Sequence, residues 1–169
     1  FEDFLEEYTL NYRILRKQRK IAKEAQVTSL EQDKLQPNSM QLGFISNLEK
    51  IRAVGETKAL LISATGTGKT YASAFALREE DAKKVLFLVH REQIAKQAIA
   101  SYKKVFGNTR TFGLLSGNSK DYDVDYLFST MQMMAKQEIL TKFRRDEFDT
   151  IIIDEAHRTG ATSYQNIMQ

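Results

Sequence analysis

The sequence predicts an α/β fold built on a doubly wound, mainly parallel sheet flanked by helices. The prediction rests on four short apolar segments and on the helical patterns that alternate with them. The four segments are residues 59–63, 85–90, 126–130 and 150–154. Each is nearly continuous in apolar residues and bounded by polar ones, which is typical of strands buried on both faces of a parallel sheet. Strand and helix in alternation favour right-handed crossovers and helices on both faces.

The helical segments are defined by the spacing of their apolar residues. Phe44, Leu48 and Ile51 recur at helical intervals, and Gly55 stands where such a helix is expected to stop. The clearest helical pattern lies in residues 93–106. Its apolar side chains are Ile94, Ala98, Ile99, Tyr102, Val105 and Phe106. Residues 111–115 are predicted as a further strand.

The first part of the chain differs from the rest in its composition. Residues 1–36 are highly charged with scattered apolar positions, and we predict an N-terminal helical extension or linker there. Pro37 marks the boundary, because the residue before a proline is biased away from the helix. A run of lysine and arginine in the extension favours a solvated helix face, with phosphate contact as the alternative. Residues 37–169 are predicted to form the α/β domain.

Composition excludes several kinds of protein. The 169 residues are 42% hydrophobic and 28% charged, as in soluble globular domains. The chain has no cysteine, which excludes disulfides, thiolate metal sites and cysteine catalysis. No apolar run approaches the roughly 18 residues of a membrane helix, and no signal peptide precedes the domain, so we expect a cytoplasmic protein. A net charge of +3 is weak evidence for a polyanionic partner.

A phosphate-binding loop follows the first apolar segment. Residues 63–70 are Ser-Ala-Thr-Gly-Thr-Gly-Lys-Thr, and a helical stretch comes next. Glycines let the backbone adopt positive φ and approach a phosphate closely, and the helix N-terminus favours an anion. Lys69 can reach the β- and γ-phosphates of a nucleotide, and the Thr70 hydroxyl can bind Mg²⁺. Ser63 stands where such loops usually have glycine or alanine. The predicted nucleotide-binding residues here are Thr65, Gly66, Thr67, Gly68, Lys69 and Thr70. A glycine-rich turn without a ligand is the alternative.

An acidic pair ends the last apolar segment. Residues 151–153 are three isoleucines, and Asp154 and Glu155 follow them directly. Ligands of such sheets bind beyond the carboxyl ends of the strands, so this pair is expected near the phosphate loop. Asp154 is suited to hold Mg²⁺, and Glu155 to orient or activate an attacking water. With Lys69 they are the predicted catalytic residues; acidic residues that cap a following helix are the alternative.

Four motifs in order resemble those of superfamily 2 DEAD/DEAH-box helicases. ATGTGKT at residues 64–70 and DEAH at residues 154–157 are similar to motifs I and II. FLVHREQIAKQ at residues 87–97 resembles motif Ia, and FSTMQMM at residues 128–134 resembles a segment that faces a nucleic-acid backbone. The resemblance is to the bacterial group related to the motor subunits of type I and type III restriction enzymes. From Pro37 onward it implies the first RecA-like motor domain, truncated before motif III.

The resemblance implies roles for further residues. Gln41 would recognise adenine, or is an ordinary glutamine on a helix face. Arg91 would meet nucleic-acid phosphates, or is a solvated surface arginine. Ser129 and Thr130 would donate hydroxyl hydrogen bonds to the same backbone, or form the cap of a following helix. His157 would couple ATP hydrolysis to later motifs, or is a plain hydrogen-bonding histidine.

The resemblance also implies a function. It indicates an ATP-dependent helicase or translocase motor that binds Mg-ATP and acts on nucleic acid, with DNA expected. The implied partners are a second RecA-like domain of the parent chain and, in several bacterial relatives, an N-terminal nuclease domain. The second domain supplies arginine fingers worth about 10³–10⁵ in rate. We therefore expect slow hydrolysis and no unwinding from this chain alone.

Two other classes of function stay open at this point. One is a non-catalytic module that binds nucleic acid or a protein partner and retains a vestigial nucleotide site. Intact Lys69, Thr70, Asp154 and Glu155 argue against it. The other is a small-molecule kinase, which would share the phosphate loop but leaves residues 128–134 unexplained. Hydrolysis stimulated by a nucleic-acid polymer separates a motor from a kinase.

Overall fold

The computed structural model describes residues 35–64 and 66–155. All of them except residues 35 and 36 belong to the unit Pro37–Gln169 of the chain. Nearly all of the predicted N-terminal extension, residues 1–36, lies outside the described residues, and so do Thr65 and His157. The predictions made for those positions therefore stay predictions.

The described residues form five α-helices and four β-strands. The helices are α1 (Ser39–Ala53), α2 (Lys69–Glu79), α3 (Glu92–Phe106), α4 (Met131–Met134) and α5 (Gln137–Leu140). The strands are β1 (Val85–Val89), β2 (Phe112–Leu115), β3 (Tyr126–Thr130) and β4 (Thr150–Ile153). None of the helices within the described residues has the length and apolar character needed to cross a membrane.

The four strands form one parallel sheet in the order β2-β3-β1-β4. β1 pairs with β3 on one side, where Val89 lies opposite Thr130, and with β4 on the other, where Leu88 lies opposite Ile153. β2 pairs with the outer side of β3. Because all four strands run in one direction, their carboxyl ends meet at a single edge of the sheet. The parallel sheet confirms the predicted fold class.

Both faces of the central strand are covered by helices. All five residues of β1 are buried, and their side chains alternate between two apolar clusters. Val85, Phe87 and Val89 belong to a cluster that includes residues of α1, α2 and α3. Leu86 and Leu88 belong to a second cluster with residues of α4 and α5. This alternation is why the sequence of β1 is continuously apolar.

An aromatic core lies beneath α3. Tyr102 of α3 is fully buried, and rings from β1, β3 and α3 itself surround it. The ring centroids of Phe87 and Phe128 lie 5.6 and 5.2 Å from that of Tyr102, both in edge-on arrangements. The ring centroids of Tyr126 and Phe106 each lie 6.1 Å from that of Tyr102. Edge-to-face pairs of this kind add to the stabilisation from burial alone, so α3 is held firmly on the sheet.

Local signals in the sequence set the ends of α1. The Asn38 side chain accepts a hydrogen bond from the Gln41 amide, and the Gln41 side chain accepts one from the Asn38 amide. This reciprocal capping box satisfies two backbone donors of the first turn. At the other end Gly55 adopts φ +83°, and its amide donates to the carbonyl of Arg52. The predicted stop at Gly55 is confirmed.

The predicted strand at residues 59–63 is wrong for this structure. The segment is not a strand, and it pairs with none of β1 to β4 among the described residues. Leu60 and Ile62 are 74% and 85% exposed. An apolar run forms a strand only where a neighbouring strand accepts its backbone hydrogen bonds. The other predicted strands are confirmed, including the one at residues 111–115, observed as β2.

The contrast between core and exposed apolar residues gives a first prediction. We expect Phe128→Ala to lower the free energy of unfolding by about 3–5 kcal/mol, because a fully buried ring leaves a cavity. We expect Leu60→Ala, the control, to change it by no more than about 0.5 kcal/mol, because that side chain lies largely in solvent. Urea unfolding measures both. A large loss from Leu60→Ala would show that residues 59–63 are packed in solution.

Candidate functional site

Polar residues collect where the parallel strands end. Arg91 follows β1 by two residues, Ser116 follows β2, Thr130 is the last residue of β3 and Asp154 follows β4. The sheet register aligns these ends, because Leu115 lies opposite Ser129 and Val89 lies opposite Thr130. The carboxyl edge of a parallel sheet is where ligands of this fold class bind. The candidate site consists of this edge and the start of α2.

The amino end of α2 lacks a side-chain cap. Gly68, at the N-cap position, adopts the left-handed conformation with φ +84° and, as a glycine, has no side chain that could cap the helix. The first internal bond runs from the Ala72 amide to the Gly68 carbonyl. The amides before it have no acceptor within the helix. Together with the helix dipole, they give this end a partial positive charge that suits an anion.

Lys69 lies folded against the loop that precedes α2. Its ammonium donates to the carbonyl of Ser63 at 3.0 Å and to that of Ala64 at 2.8 Å. A lysine ammonium has three donor hydrogens, so two anchor it and a third can be offered to a ligand. The cation is therefore held beside the uncapped helix end, as phosphate binding requires. Contact between Lys69 and the phosphates of a nucleotide stays a prediction.

Gln41 connects α1 to the start of α2. Its side chain is buried, only 5% exposed. The side-chain oxygen serves the capping box, while Nε2 donates to the Gly68 carbonyl over 3.4 Å. Both polar atoms of the amide are thus engaged within the protein. Adenine recognition by Gln41 stays a prediction, and in this conformation it would require the amide to exchange these partners.

Thr70 is linked to the aromatic core through Ser73. The Ser73 hydroxyl donates to the Thr70 carbonyl at 2.8 Å and lies 2.8 Å from the Tyr102 hydroxyl. Ser73 has one proton and gives it to Thr70, so Tyr102 is the donor to Ser73. Burial raises the pKa of Tyr102, and the charges of Tyr126 and Asp154 raise it further. Tyr102 thus supports the first turn of α2 through Ser73.

Asp154 and Glu155 stand at the carboxyl end of β4. The Asp154 amide donates to the Leu88 carbonyl at 2.9 Å, which extends the β4–β1 ladder by one residue. One carboxylate oxygen of Asp154 accepts from the Glu155 amide at 3.0 Å. Glu155 has φ +51°, in the left-handed region. Such a conformation costs a non-glycine residue about 1–3 kcal/mol and often marks a functional site.

Arg91 is exposed at the N-cap position of α3. Next to it, Glu92 pairs with Lys96 at 2.6 Å. The hydrogen bond from Lys96, followed by one from Ser116, lowers the pKa of Glu92. The neighbouring carboxylate thus has partners of its own. Arg91 is placed where a cation can meet a ligand that lies across the sheet edge.

The two hydroxyls of β3 differ in what they can do. Ser129 is fully buried, and its hydroxyl lies within hydrogen-bond reach of the Leu115 and Thr130 carbonyls. Thr130 is half-buried and accepts from the Met133 amide at 3.2 Å, so it caps α4. A hydroxyl that accepts one bond can still donate its proton. A helix cap and a phosphate contact are therefore compatible at Thr130, whereas Ser129 points its hydroxyl into the sheet.

The side chains present fit a magnesium nucleotide. Mg²⁺ binds oxygen ligands and commonly uses one or two protein groups together with phosphates and water. The Thr70 hydroxyl and the Asp154 carboxylate supply oxygens of that kind, and both residues are only half-buried. The start of α2 and Lys69 supply donors for the phosphates. Thr65 and His157, also predicted here, lie outside the described residues.

Two structural contributors to the site were not predicted. Asn38 caps α1 and thereby holds Gln41, and the pattern Asn-x-x-Gln that signals this capping box is present in the sequence. Tyr102 supports Ser73 from another helix. No local pattern indicates that contact, because the two residues are distant in the chain and meet only through packing.

Comparison with known proteins identifies relatives. The sequence model of the family described as "Type III restriction enzyme, res subunit" matches residues 34–169. The EcoAI type I restriction enzyme endonuclease subunit of Escherichia coli is 30% identical over 135 residues, 75% of this chain. IRC3 of Saccharomyces cerevisiae, whose provisional description is an ATP-dependent helicase, is 34% identical over 123 residues, 66% of the chain. The chain spans 16% and 18% of the length of these two relatives.

Solved structures share the fold. The type ISP restriction-modification enzyme LlaGI, as a nuclease-deletion mutant with a DNA substrate mimic, gives a TM-score of 0.60 at 23% identity. That match covers 80% of this chain and 16% of LlaGI. The UvsW helicase of bacteriophage T4 also gives 0.60, at 16% identity, over 79% of this chain and 48% of UvsW. The parallel sheet with flanking helices is thus the RecA-like arrangement of these helicase structures.

Alanine substitutions at Gly68 and Gly43 are expected to change the free energy of unfolding in opposite directions. A Cβ at Gly68 would lie 2.9 Å from Gln41 Nε2, at a backbone φ of +84°. We expect Gly68→Ala to lower the free energy of unfolding by about 1–3 kcal/mol. Gly43 lies within α1 with nothing within 4 Å of such a Cβ, so Gly43→Ala should raise it by about 0.5–1 kcal/mol. Thermal unfolding of both variants tests this, and equal effects would contradict the geometry.

Proposed function

This chain belongs to the family described as the type III restriction enzyme, res subunit, and on that premise we propose that it binds and hydrolyses Mg-ATP as part of a nucleic-acid motor. The family includes homologues among type I restriction enzyme subunits and helicases. DNA is the proposed nucleic acid, since LlaGI was solved with a DNA substrate mimic. The proposed function is ATP-dependent translocation or unwinding by the parent protein.

One observation carries the proposal most directly. Lys69 is anchored by two loop carbonyls beside a helix N-terminus that has no side-chain cap. A cation and a set of unpaired amides in the same place would repel one another unless an anion joined them. A nucleotide polyphosphate has the charge and the acceptor oxygens to satisfy both.

The residues of the site have distinct proposed roles. Lys69 and the first amides of α2 donate hydrogen bonds to the phosphates, while the Thr70 hydroxyl and the Asp154 carboxylate hold the metal. Bound Mg²⁺ supplies charge neutralisation at the phosphate oxygens. Glu155 orients the attacking water and accepts its proton. Gln41 is proposed to contact the base, Thr65 the phosphates, and His157 to couple hydrolysis to movement.

A nucleic-acid backbone is proposed to lie across the carboxyl ends of β1 and β3. Arg91 supplies charge there, and Thr130 supplies a hydroxyl proton. Ser129 is proposed to act from inside the sheet by fixing the Leu115 and Thr130 carbonyls. Contacts of this type recognise phosphates and are largely independent of base sequence.

The proposal extends beyond this chain to its parent protein. Because the chain spans about a sixth of its restriction-enzyme relative, stepping and unwinding are proposed for the parent and not for this chain alone. A second RecA-like domain is proposed to complete the ATP site, as the resemblance implies. A nuclease domain and a cytoplasmic location are proposed on the same basis.

Hydrolysis by the parent protein tests the proposal. Phosphate release from Mg-ATP is measured without polymer and with single-stranded DNA, duplex DNA or RNA. We expect stimulation by one DNA form and its loss in Lys69→Ala. In Glu155→Gln, we expect bound nucleotide to be retained while turnover falls about 10²–10⁴-fold, because the proton acceptor is gone.

The matched control for the carboxylate is Glu138→Gln, an exposed change on α5 that should leave turnover unchanged. Hydrolysis indifferent to every polymer would indicate another kind of phosphate-loop enzyme. Absence of turnover in the unmodified parent would favour a binding module with a vestigial nucleotide site.

Arg91 gives a separate prediction about nucleic-acid binding. We expect Arg91→Ala to weaken DNA binding similarly for different sequences, and to reduce the slope of log K against log salt by about 1, because one phosphate contact is lost. Lys103→Ala, which removes an exposed charge at the opposite end of α3, is the control. Fluorescence anisotropy at several salt concentrations measures both, and identical slopes for the two variants would refute a contact by Arg91.

A further inference from the structure

Two hydroxyl side chains form a bridge across the phosphate loop. Ser63 Oγ lies 2.6 Å from Thr67 Oγ1, and Thr67 Oγ1 donates to the Ala64 carbonyl at 2.8 Å. Each hydroxyl has one proton. Because Thr67 gives its proton to Ala64, Ser63 must be the donor in the bond between the two hydroxyls. A directed chain therefore runs from Ser63 through Thr67 to Ala64.

The same carbonyl anchors the lysine of the loop. Ala64 O accepts from Thr67 and also from the Lys69 ammonium, at 2.8 Å in both cases. Ser63 contributes twice, with its hydroxyl to Thr67 and its carbonyl to Lys69. The bridge and the cation thus share an attachment point. A shift of the Ala64 carbonyl would move the anchor of Lys69.

The bridge spans a glycine, the residue type with the greatest backbone freedom. Gly66 lies between the bridged residues, is exposed, and has φ +81°. A glycine there allows the turn but leaves many other conformations open. A hydrogen bond between the flanking residues removes much of that freedom before a ligand arrives. Binding to a loop already held in shape loses less conformational entropy.

We propose that Ser63 and Thr67 are positioning residues whose hydroxyl bridge holds the phosphate loop in its nucleotide-binding shape and so sets the affinity for nucleotide phosphates. The proposal rests on the proposed function, because it concerns the same nucleotide site. Glycine or alanine at position 63 lacks a hydroxyl and cannot make the bridge. Ser63, which stands where such loops usually have glycine or alanine, therefore supplies the hydroxyl that the bridge needs.

The test compares nucleotide affinity in variants that remove one hydroxyl at a time. Mg-ADP with a fluorescent ribose label is titrated into the chain and into Ser63→Ala and Thr67→Val. We expect each variant to bind about threefold to tenfold more weakly, the range for loss of one hydrogen bond. Thr67→Ser, which keeps the hydroxyl, should bind like the unmodified chain. Ser46→Ala, an exposed change on α1, is the control.

A double variant separates a bridge from two independent effects. If the hydroxyls act through each other, Ser63→Ala combined with Thr67→Val should bind about as weakly as either single variant. Melting temperatures without nucleotide should change by no more than about 3 °C, because the bridge acts on the loop and not on the core.

Three results would overturn the proposal that the bridge sets the affinity for nucleotide. They are wild-type affinity in Ser63→Ala, losses that multiply in the double variant, and a fall in nucleotide-free melting temperature that accounts for the weaker binding. If the unmodified chain binds no labelled nucleotide, the proposed function itself fails. If the unmodified chain binds and Ser63→Ala binds equally well, only the bridge is refuted.

Discussion

The site depends on the start of α2, where backbone amides and a lysine side chain need an acceptor. The first amides of α2 have no acceptor within the helix, and Gly68 at the N-cap position supplies no capping side chain, so an external acceptor can bind there. Lys69 adds a cation at the same place, held by the carbonyls of Ser63 and Ala64. An anion with several oxygens satisfies both groups together. Asp154, which follows β4, is proposed to supply the carboxylate for a metal bound to such an anion.

The core of the domain fixes the geometry of that helix start. From α1, Gln41 reaches the Gly68 carbonyl, and from α3 the Tyr102 hydroxyl reaches Ser73. These two contacts hold the first turns of α2 between neighbouring helices. At the carboxyl end of β4, the Asp154 amide donates a hydrogen bond to the Leu88 carbonyl of β1. Packing of helices thus fixes the start of α2, and pairing of strands fixes Asp154 at the carboxyl edge of the sheet.

Patterns in the sequence predicted the elements whose environment is uniform. β1 is buried on both faces, so its apolar run identified it. The prediction of a phosphate loop rests on the glycines before α2, Lys69 and Thr70. Residues 59–63 carry the same kind of pattern but pair with no strand among the described residues. Apolar character indicates a preference for burial, whereas a strand also needs a partner that local sequence does not specify.

Side-chain direction was harder to predict than position. Ser129 and Thr130 are adjacent at the end of β3, yet one is fully buried and the other half-buried, because both faces of the sheet are covered and only the last residue of the strand reaches its edge. Predicting which of them faces a ligand depends on strand register.

Calorimetric titration with Mg²⁺ and ATP, ADP or AMP most directly tests phosphate recognition at α2. ATP and ADP should bind at least about tenfold more tightly than AMP, since AMP lacks the phosphates that Lys69 reaches. AMP binding as tight as ATP binding would contradict recognition by this loop.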